Sequence, residues 1–396
     1  MIYFSKTFSG TLFISILLAV FFNCHRDNSP LNDTGGYHYQ IPVQVDDGWE
    51  VGDPSQTGMS STPLVQMIHY INQYEHRIHS VLVFHDNKLV FEQYFEGYLY
   101  SNNPPGSDSR YITYGIDTLH YLASVSKTVT SVLVGIAHDQ GNISNISDHL
   151  SDYFLQYANI LVGEKANITI EYLLTMTSGL AWDENSYPYT DPRNDVTQLF
   201  YNSDPIGFIL SRQLISTPGT LFHYNSGNTN VLGDIVRTTT GMNLDNFSRE
   251  YLFKPLGITR YRWERIRGNI VFASGGLYLT PRDLAKIGSL FINGGKWKGQ
   301  QVICQDWIDA STHKYISTSF LPISNGYGYQ WWLGTFRSEG KTFNCFLAAG
   351  WGEQYMFIFP DQNLIVVTNC GYYFNTTTVS PFDLVNYFIL PALSGS

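Results

Sequence analysis

The sequence predicts an α+β fold: an antiparallel sheet flanked by helices, formed from both ends of the chain, with a mostly helical lobe inserted. Three observations carry that expectation. Short apolar and β-branched runs stand near both ends, the middle third repeats apolar residues at helical spacing between Gly and Pro, and a last apolar helix follows the final strands. Strands, then helices, then strands again place the two halves of one sheet at opposite ends of the sequence. The length of 396 residues suits one large domain with an insertion, and a hydrophobic share of 43% is ordinary for a globular chain.

Taken in order, residues 1–24 read as an address. Lys6 gives a short positive stretch, and Thr11 to Phe22 form an apolar run of 12 residues, shorter than the ~20 of a membrane span but right for a secretory signal. The run ends at Cys24 and polar residues follow, which resembles a bacterial lipoprotein signal. That pattern implies export to the bacterial cell envelope, with Cys24 lipidated and holding the protein to the membrane; an uncleaved anchor and a signal cut elsewhere are the alternatives. Residues 25–60, rich in Gly, Pro, Ser, Asn and Asp, are expected to be a flexible tether, and residues 61–396 the folded domain.

Within the domain, Ser80–His85 and Leu89–Tyr94 flank Asp86-Asn87 and predict a hairpin. A helix is expected from Ser124 to Gln140, with Val129, Val132, Leu133, Ile136 and Ala137 on one face and Gly141 as its stop. Helical spacing continues through Ile170–Met176, Val196–Leu210, Asn230–Thr239, Leu244–Phe253 and Leu284–Ile292. The expected helical lobe covers about 125–275. Strands return at Phe343–Ala348, Tyr355–Phe359 and Leu364–Thr368, and a helix around Phe382–Leu390 closes the chain.

Composition removes several functions. A net charge of −10 without any Lys/Arg run argues against nucleic acid as a partner. Beyond Cys24 the cysteines are Cys304, Cys345 and Cys370, with no CxxC and no ligand-spaced Cys/His pair, so zinc is not suggested. Cys345 and Cys370 are read either as a pair or as buried free thiols. G-x-S-x-G, HExxH, a P-loop and G-x-G-x-x-G are all missing. The adjacent acids Asp183-Glu184 read as solvated loop carboxylates.

Chemistry concentrates at Ser124-Val125-Ser126-Lys127. Residues three apart share a helix face, so Lys127 would lie beside the Ser124 hydroxyl. A serine needs a base to become a nucleophile, and a lysine serves once burial lowers its pKa. A helix N-terminus adds free N–H groups for an oxyanion. The same spacing recurs at Ser311–Lys314 and Ser338–Lys341, where a surface reading suffices. A second element is Tyr224-Asn225-Ser226, whose phenol can shuttle a proton near a lysine. A third is Ala349-Gly350-Trp351-Gly352, where glycine permits close backbone approach to a substrate.

Ser124-x-x-Lys127, then Tyr224, then a Gly-rich strand near 350 resembles the serine β-lactamase-like superfamily in its class C branch of β-lactamases, D,D-peptidases, esterases and 6-aminohexanoate-dimer hydrolases. The resemblance extends over residues 60–390 through ITIEYLLTMTSGL (168–180), FHYNSGNTNVLGDIV (222–236), GGLYLTPRDLAKIGSLFINGG (275–295) and YGYQWW (327–332). It implies Ser124 as the acylated nucleophile, Lys127 as base or relay, and Tyr224 as the group that protonates the leaving group and activates water. It further implies Ser226 as a hydrogen-bonding side chain and an oxyanion hole from the N–H of Ser124 and one near Gly350 and Trp351. From the same resemblance, no metal and no cofactor is expected. Two departures stand out: Ala348 or Ala349 replaces the cation that holds a β-lactam carboxylate, and Glu353 adds an acid. Both favour a neutral ester or small amide substrate. The expectation is an exported serine hydrolase; the alternatives are a β-lactamase or D-amino-acid peptidase acting on cell-wall material, and a catalytically poor envelope lipoprotein that binds peptidoglycan or peptide.

Overall fold

The computed structural model describes residues 36–74, 76–100, 110–373 and 375–393; Cys24 and the run before it lie outside the described residues. Eight strands build one sheet: β1 (Glu50–Val51), β2 (Ile78–His85), β3 (Lys88–Tyr94), β4 (Ser324–Tyr327), β5 (Trp332–Ser338), β6 (Lys341–Gly350), β7 (Gln354–Phe359) and β8 (Leu364–Cys370). They lie side by side as β1-β3-β2-β8-β7-β6-β5-β4. Every pairing is antiparallel except the β1–β3 edge, which is parallel. The two ends of the chain meet where Val83 of β2 faces Val366 of β8. The β2–β3 hairpin turns through Asp86 and Asn87 at φ 48° and 61°, the left-handed pair that a type I′ turn requires and that Asp and Asn tolerate.

Period-two alternation sorts the β8 side chains between two cores. Leu364 and Val366 pack with Leu64, Met67 and Ile71 of α1 (Ser61–Asn72) and with the C-terminal Leu384 and Ile389. Ile365 and Val367 pack with Val129 and Leu133 of α2 (Val125–Asp139), and α3 (Ser226–Thr240) and α4 (Pro281–Ile292) add Ile235 and Ile287 to that core.

The flexible tether expected over 25–60 is corrected over its described part. The Tyr39 hydroxyl donates to the Val90 carbonyl at 2.8 Å. Trp49, only 3% exposed, donates its indole N–H to the Arg282 carbonyl at 3.1 Å, and the next two residues form β1. Few apolar residues stand in this segment, but they include the rings of Tyr37, Tyr39 and Trp49, and rings bury much area each. The helix expected over Val196–Leu210 is two, Asp195–Tyr201 and Pro205–Ser211, because Pro205 opens the second under the Asp204 cap. Cys345 and Cys370 are free thiols; β7 separates their strands.

Candidate active site

Ser124 sits where a short strand, His120–Tyr121, turns into α2. The turn depends on Ala123 at φ 46°, a left-handed conformation that costs a non-glycine residue about 1 kcal/mol or more. It delivers Ser124 to the helix start with its N–H outside the helical ladder. One turn on, Lys127 is 2% exposed and points back. Its Nζ donates to Ser124 Oγ at 2.8 Å and to the Ser274 carbonyl at 2.9 Å. Burial pulls this ammonium down to about 8, and the charge of Glu184 works in the opposite direction.

Tyr224 arrives from the loop before α3, whose first turn is capped by Asn225 accepting from the Asn228 N–H. Its ring is stacked on Phe320 and Trp332, with centroids 5.4 and 5.8 Å away, and Lys127 Nζ lies 4.9 Å from its centroid. Burial first, and Glu184 second, hold the phenol above its usual range, while the Ser124 hydroxyl facing it works the other way. The Tyr327 and Trp332 rings, at the two ends of the stretch YGYQWW, thus pack around Phe222 and Tyr224.

The end of β6 closes the other side. A Cβ on Gly350 would lie 2.4 Å from the Leu122 carbonyl and 3.2 Å from the Ser124 nitrogen, so only glycine lets this strand lie against the Ser124 backbone. Trp351 follows, its ring 5.1 Å from Tyr189 and 5.3 Å from Tyr373. Ala348 and Ala349 supply no cation at this edge. Glu353, raised by burial, is engaged by the Thr377 hydroxyl at 3.2 Å and by Tyr355, so its charge is not presented bare.

Ser124, Lys127, Tyr224, Gly350 and Trp351 are therefore brought around one point. Ser226 is buried and turned to Glu184, giving it both its N–H (2.8 Å) and its hydroxyl (2.9 Å). Glu184 corrects the solvated-acid reading: it is 3% exposed. A carboxylate so placed is legible only in three dimensions, since nothing near it in sequence marks it as buried. Ser274 and Asn230 were likewise unmarked; the Asn230 amide bridges the Ser226 carbonyl and the Ser274 hydroxyl at 2.8 and 2.9 Å. Among the described residues no three His, Cys, Asp or Glu side chains converge as a metal site needs.

Residues 67–390 match the family described as Beta-lactamase. The chain belongs to the beta-lactamase family. Among relatives, this beta-lactamase family chain is 28% identical over 236 residues to a 6-aminohexanoate-dimer hydrolase of Paenarthrobacter ureafaciens, covering 54% of this chain and 58% of that protein. It is 29% identical over 203 residues to a lovastatin esterase of Penicillium rubens, covering 46% and 48%. The matched region thus spans about half the length of these relatives. Among solved structures, a family VIII carboxylesterase superposes with TM-score 0.64 at 15% identity, covering 89% of this chain and all of that one. A class C beta lactamase from Rhodobacter sphaeroides superposes with TM-score 0.60 at 14% identity, covering 84% and 100%. At those identities the likeness is one of fold.

Proposed function

We propose that this beta-lactamase family protein is a serine hydrolase that cleaves an ester or small amide through an acyl-enzyme on Ser124. The observation that carries the reading is the 2.8 Å contact between Ser124 Oγ and a Lys127 Nζ brought to about 8 by burial. A lysine in that range is partly neutral near physiological pH and can take the serine proton as Oγ attacks the carbonyl carbon. The N–H of Ser124, at the positive end of α2, and an N–H at the Gly350–Trp351 strand end then receive the oxyanion. Tyr224, kept as a phenol by its surroundings, suits donation to the departing alkoxide or amine. Water then enters, loses its proton to the same groups and releases the acid. The names of the relatives, an esterase and a dimer hydrolase, support an ester or amide bond as the target. The missing cation at Ala348–Ala349 argues against an anionic β-lactam. Export with lipid anchoring at Cys24 belongs to the same proposal and rests on residues 1–24 alone.

Intact-mass spectra of residues 25–396 during turnover of a p-nitrophenyl ester test the reading, with Ser124→Ala alongside. A transient acyl adduct absent from the Ala variant, with steady p-nitrophenol release, is expected. A stable adduct without turnover favours a binder, turnover of a β-lactam and not of esters favours the β-lactamase reading, and an adduct indifferent to Ser124 overturns the assignment.

A further inference from the structure

We infer that Glu184 is a positioning residue of this site, a buried carboxylate that sets the pose of Tyr224 and the charge state of Lys127. The inference rests on the acyl-enzyme reading above and extends it to a residue that touches no substrate.

The geometry is a clamp around Tyr224. Glu184 Oε2 accepts the Trp182 indole N–H at 2.6 Å and the Ser226 N–H at 2.8 Å, and Oε1 accepts the Ser226 hydroxyl at 2.9 Å. On the other side of the tyrosine, the His223 imidazole is bonded to the Trp182 carbonyl at 2.9 Å. His223 and Ser226, one residue before Tyr224 and two after it, are thus both fastened to the segment Trp182–Glu184. That segment is fixed in turn, because the Asn194 amide donates to the Glu184 carbonyl at 3.1 Å.

The same carboxylate connects to Lys127 without a gap. From Ser226 the path runs through its carbonyl to the Asn230 amide (2.8 Å), to the Ser274 hydroxyl (2.9 Å), and from the Ser274 carbonyl to Lys127 Nζ (2.9 Å). Charge acts along the same line. Lys127 is faced by Glu184, and Tyr224 meets its ammonium through the ring. Glu184 is faced by Lys127 and by the phenols of Tyr224, Tyr189 and Tyr327, which burial first, and its charge in addition, hold above their usual range. His223 and Asp183 interact with each other beside it. Three hydrogen bonds alone could be met by a neutral amide. A buried charge adds a penalty that an amide avoids, so its charge has a use.

The experiment measures the rate of Ser124 labelling by a fluorophosphonate against pH, read by intact mass, for the wild type, Ser124→Ala and Glu184→Gln. In labelling, the Oγ–P bond forms, the P–F bond breaks, fluoride leaves and the serine proton passes to the base. Glutamine keeps the shape and can still engage Ser226 and Trp182, but the charge is gone. Lys127 then loses the partner that favours its protonated form, and the acid limb is expected to move down by about one pH unit. An unmoved limb in the folded Gln variant overturns the inference. Ser226→Ala guards against a Gln variant that fails to fold. It withdraws one donor from the carboxylate and loosens the clamp, so the plateau rate is expected to fall about tenfold, a lost charge-assisted hydrogen bond being worth ~1.5 kcal/mol, and the acid limb to rise; a profile identical to wild type overturns the inference. A wild type that never labels, or labels equally as Ser124→Ala, instead overturns the acyl-enzyme reading and this inference with it.

Discussion

Burying Lys127 beside Ser124 destabilises its charged form, so pH sets the fraction of molecules ready to react. In the proposed acyl-enzyme reaction the neutral amine serves as base, and it dominates above about 8. Ester kcat/KM is therefore expected to rise about tenfold per pH unit below that value and to level off above it. A flat profile between pH 6 and 9 would remove Lys127 from the role of base. Gly350 has the opposite kind of role, acting by what it lacks. Gly350→Ala sets a methyl against two backbone atoms of the Leu122–Ser124 turn and pushes strand and nucleophile apart. Acylation is expected to fall by about 10²–10³, the size of one lost oxyanion donor, measured as the pre-steady-state burst. The residues of the site differ in how far sequence discloses them. Ser124 and Lys127 are legible because helix geometry converts a spacing of three into contact. Glu184 is not, since its partner Ser226 is 42 positions away and only the folded lobe joins them.

At the scale of elements, the amphipathic segments are read correctly and their ends less so. The α3 helix opens at Ser226, four residues before its expected start at Asn230, because Ser226, Gly227, Asn228 and Thr229 are buried polar or small residues and give no apolar stripe. Their polar groups are satisfied across the lobe, as in Asn228 accepting from Ser178 at 2.9 Å and Thr229 donating to Gln330 at 2.8 Å. The α4 start shows how the N-terminal segment is secured. Arg282, 1% exposed, forms a forked pair with Glu92 of β3, reaches Asp47 at 3.0 Å and donates to the Val43 carbonyl at 2.9 Å. Arg282→Ala leaves two carboxylates facing an empty space, and a loss of about 3–5 kcal/mol is expected, seen as a lower urea midpoint. Arg282→Lys, which cannot reproduce the fork, should restore only part of it; full stability in the Ala variant would contradict this account.

Across the whole molecule, the buried histidine pair His79 and His120 couples stability to pH. His120 Nδ1 donates to the Tyr121 carbonyl at 3.1 Å, so its Nε2 must accept, and His79 Nδ1 donates to it at 2.8 Å. Both rings are buried and neutral, with His79 stacked on Tyr114 at 4.1 Å. Burial lowers His120 to about 4 and His79 well below its ordinary 6.5. The unfolded chain therefore binds protons that the folded one refuses. Stability is fully present above pH ~6.5 and is lost as pH falls toward 4, at up to about 1.4 kcal/mol per pH unit for each histidine. Thermal melts at pH 7.5 and 5.5 should differ by several degrees, and His79→Leu should flatten that dependence; an unchanged slope would exclude the pair. The strand that carries His79, β2, also sets when the protein comes to exist. β2 emerges early in synthesis, yet its partner β8 is among the last segments made, and at about 5–20 residues per second the wait is roughly 15–60 s. Throughout that interval one edge of β2 is an unpaired template for other chains. A chain that stopped at Asn363 would contain every side chain of the site, from Ser124 to Trp351, and still have no seam to bring its two halves together.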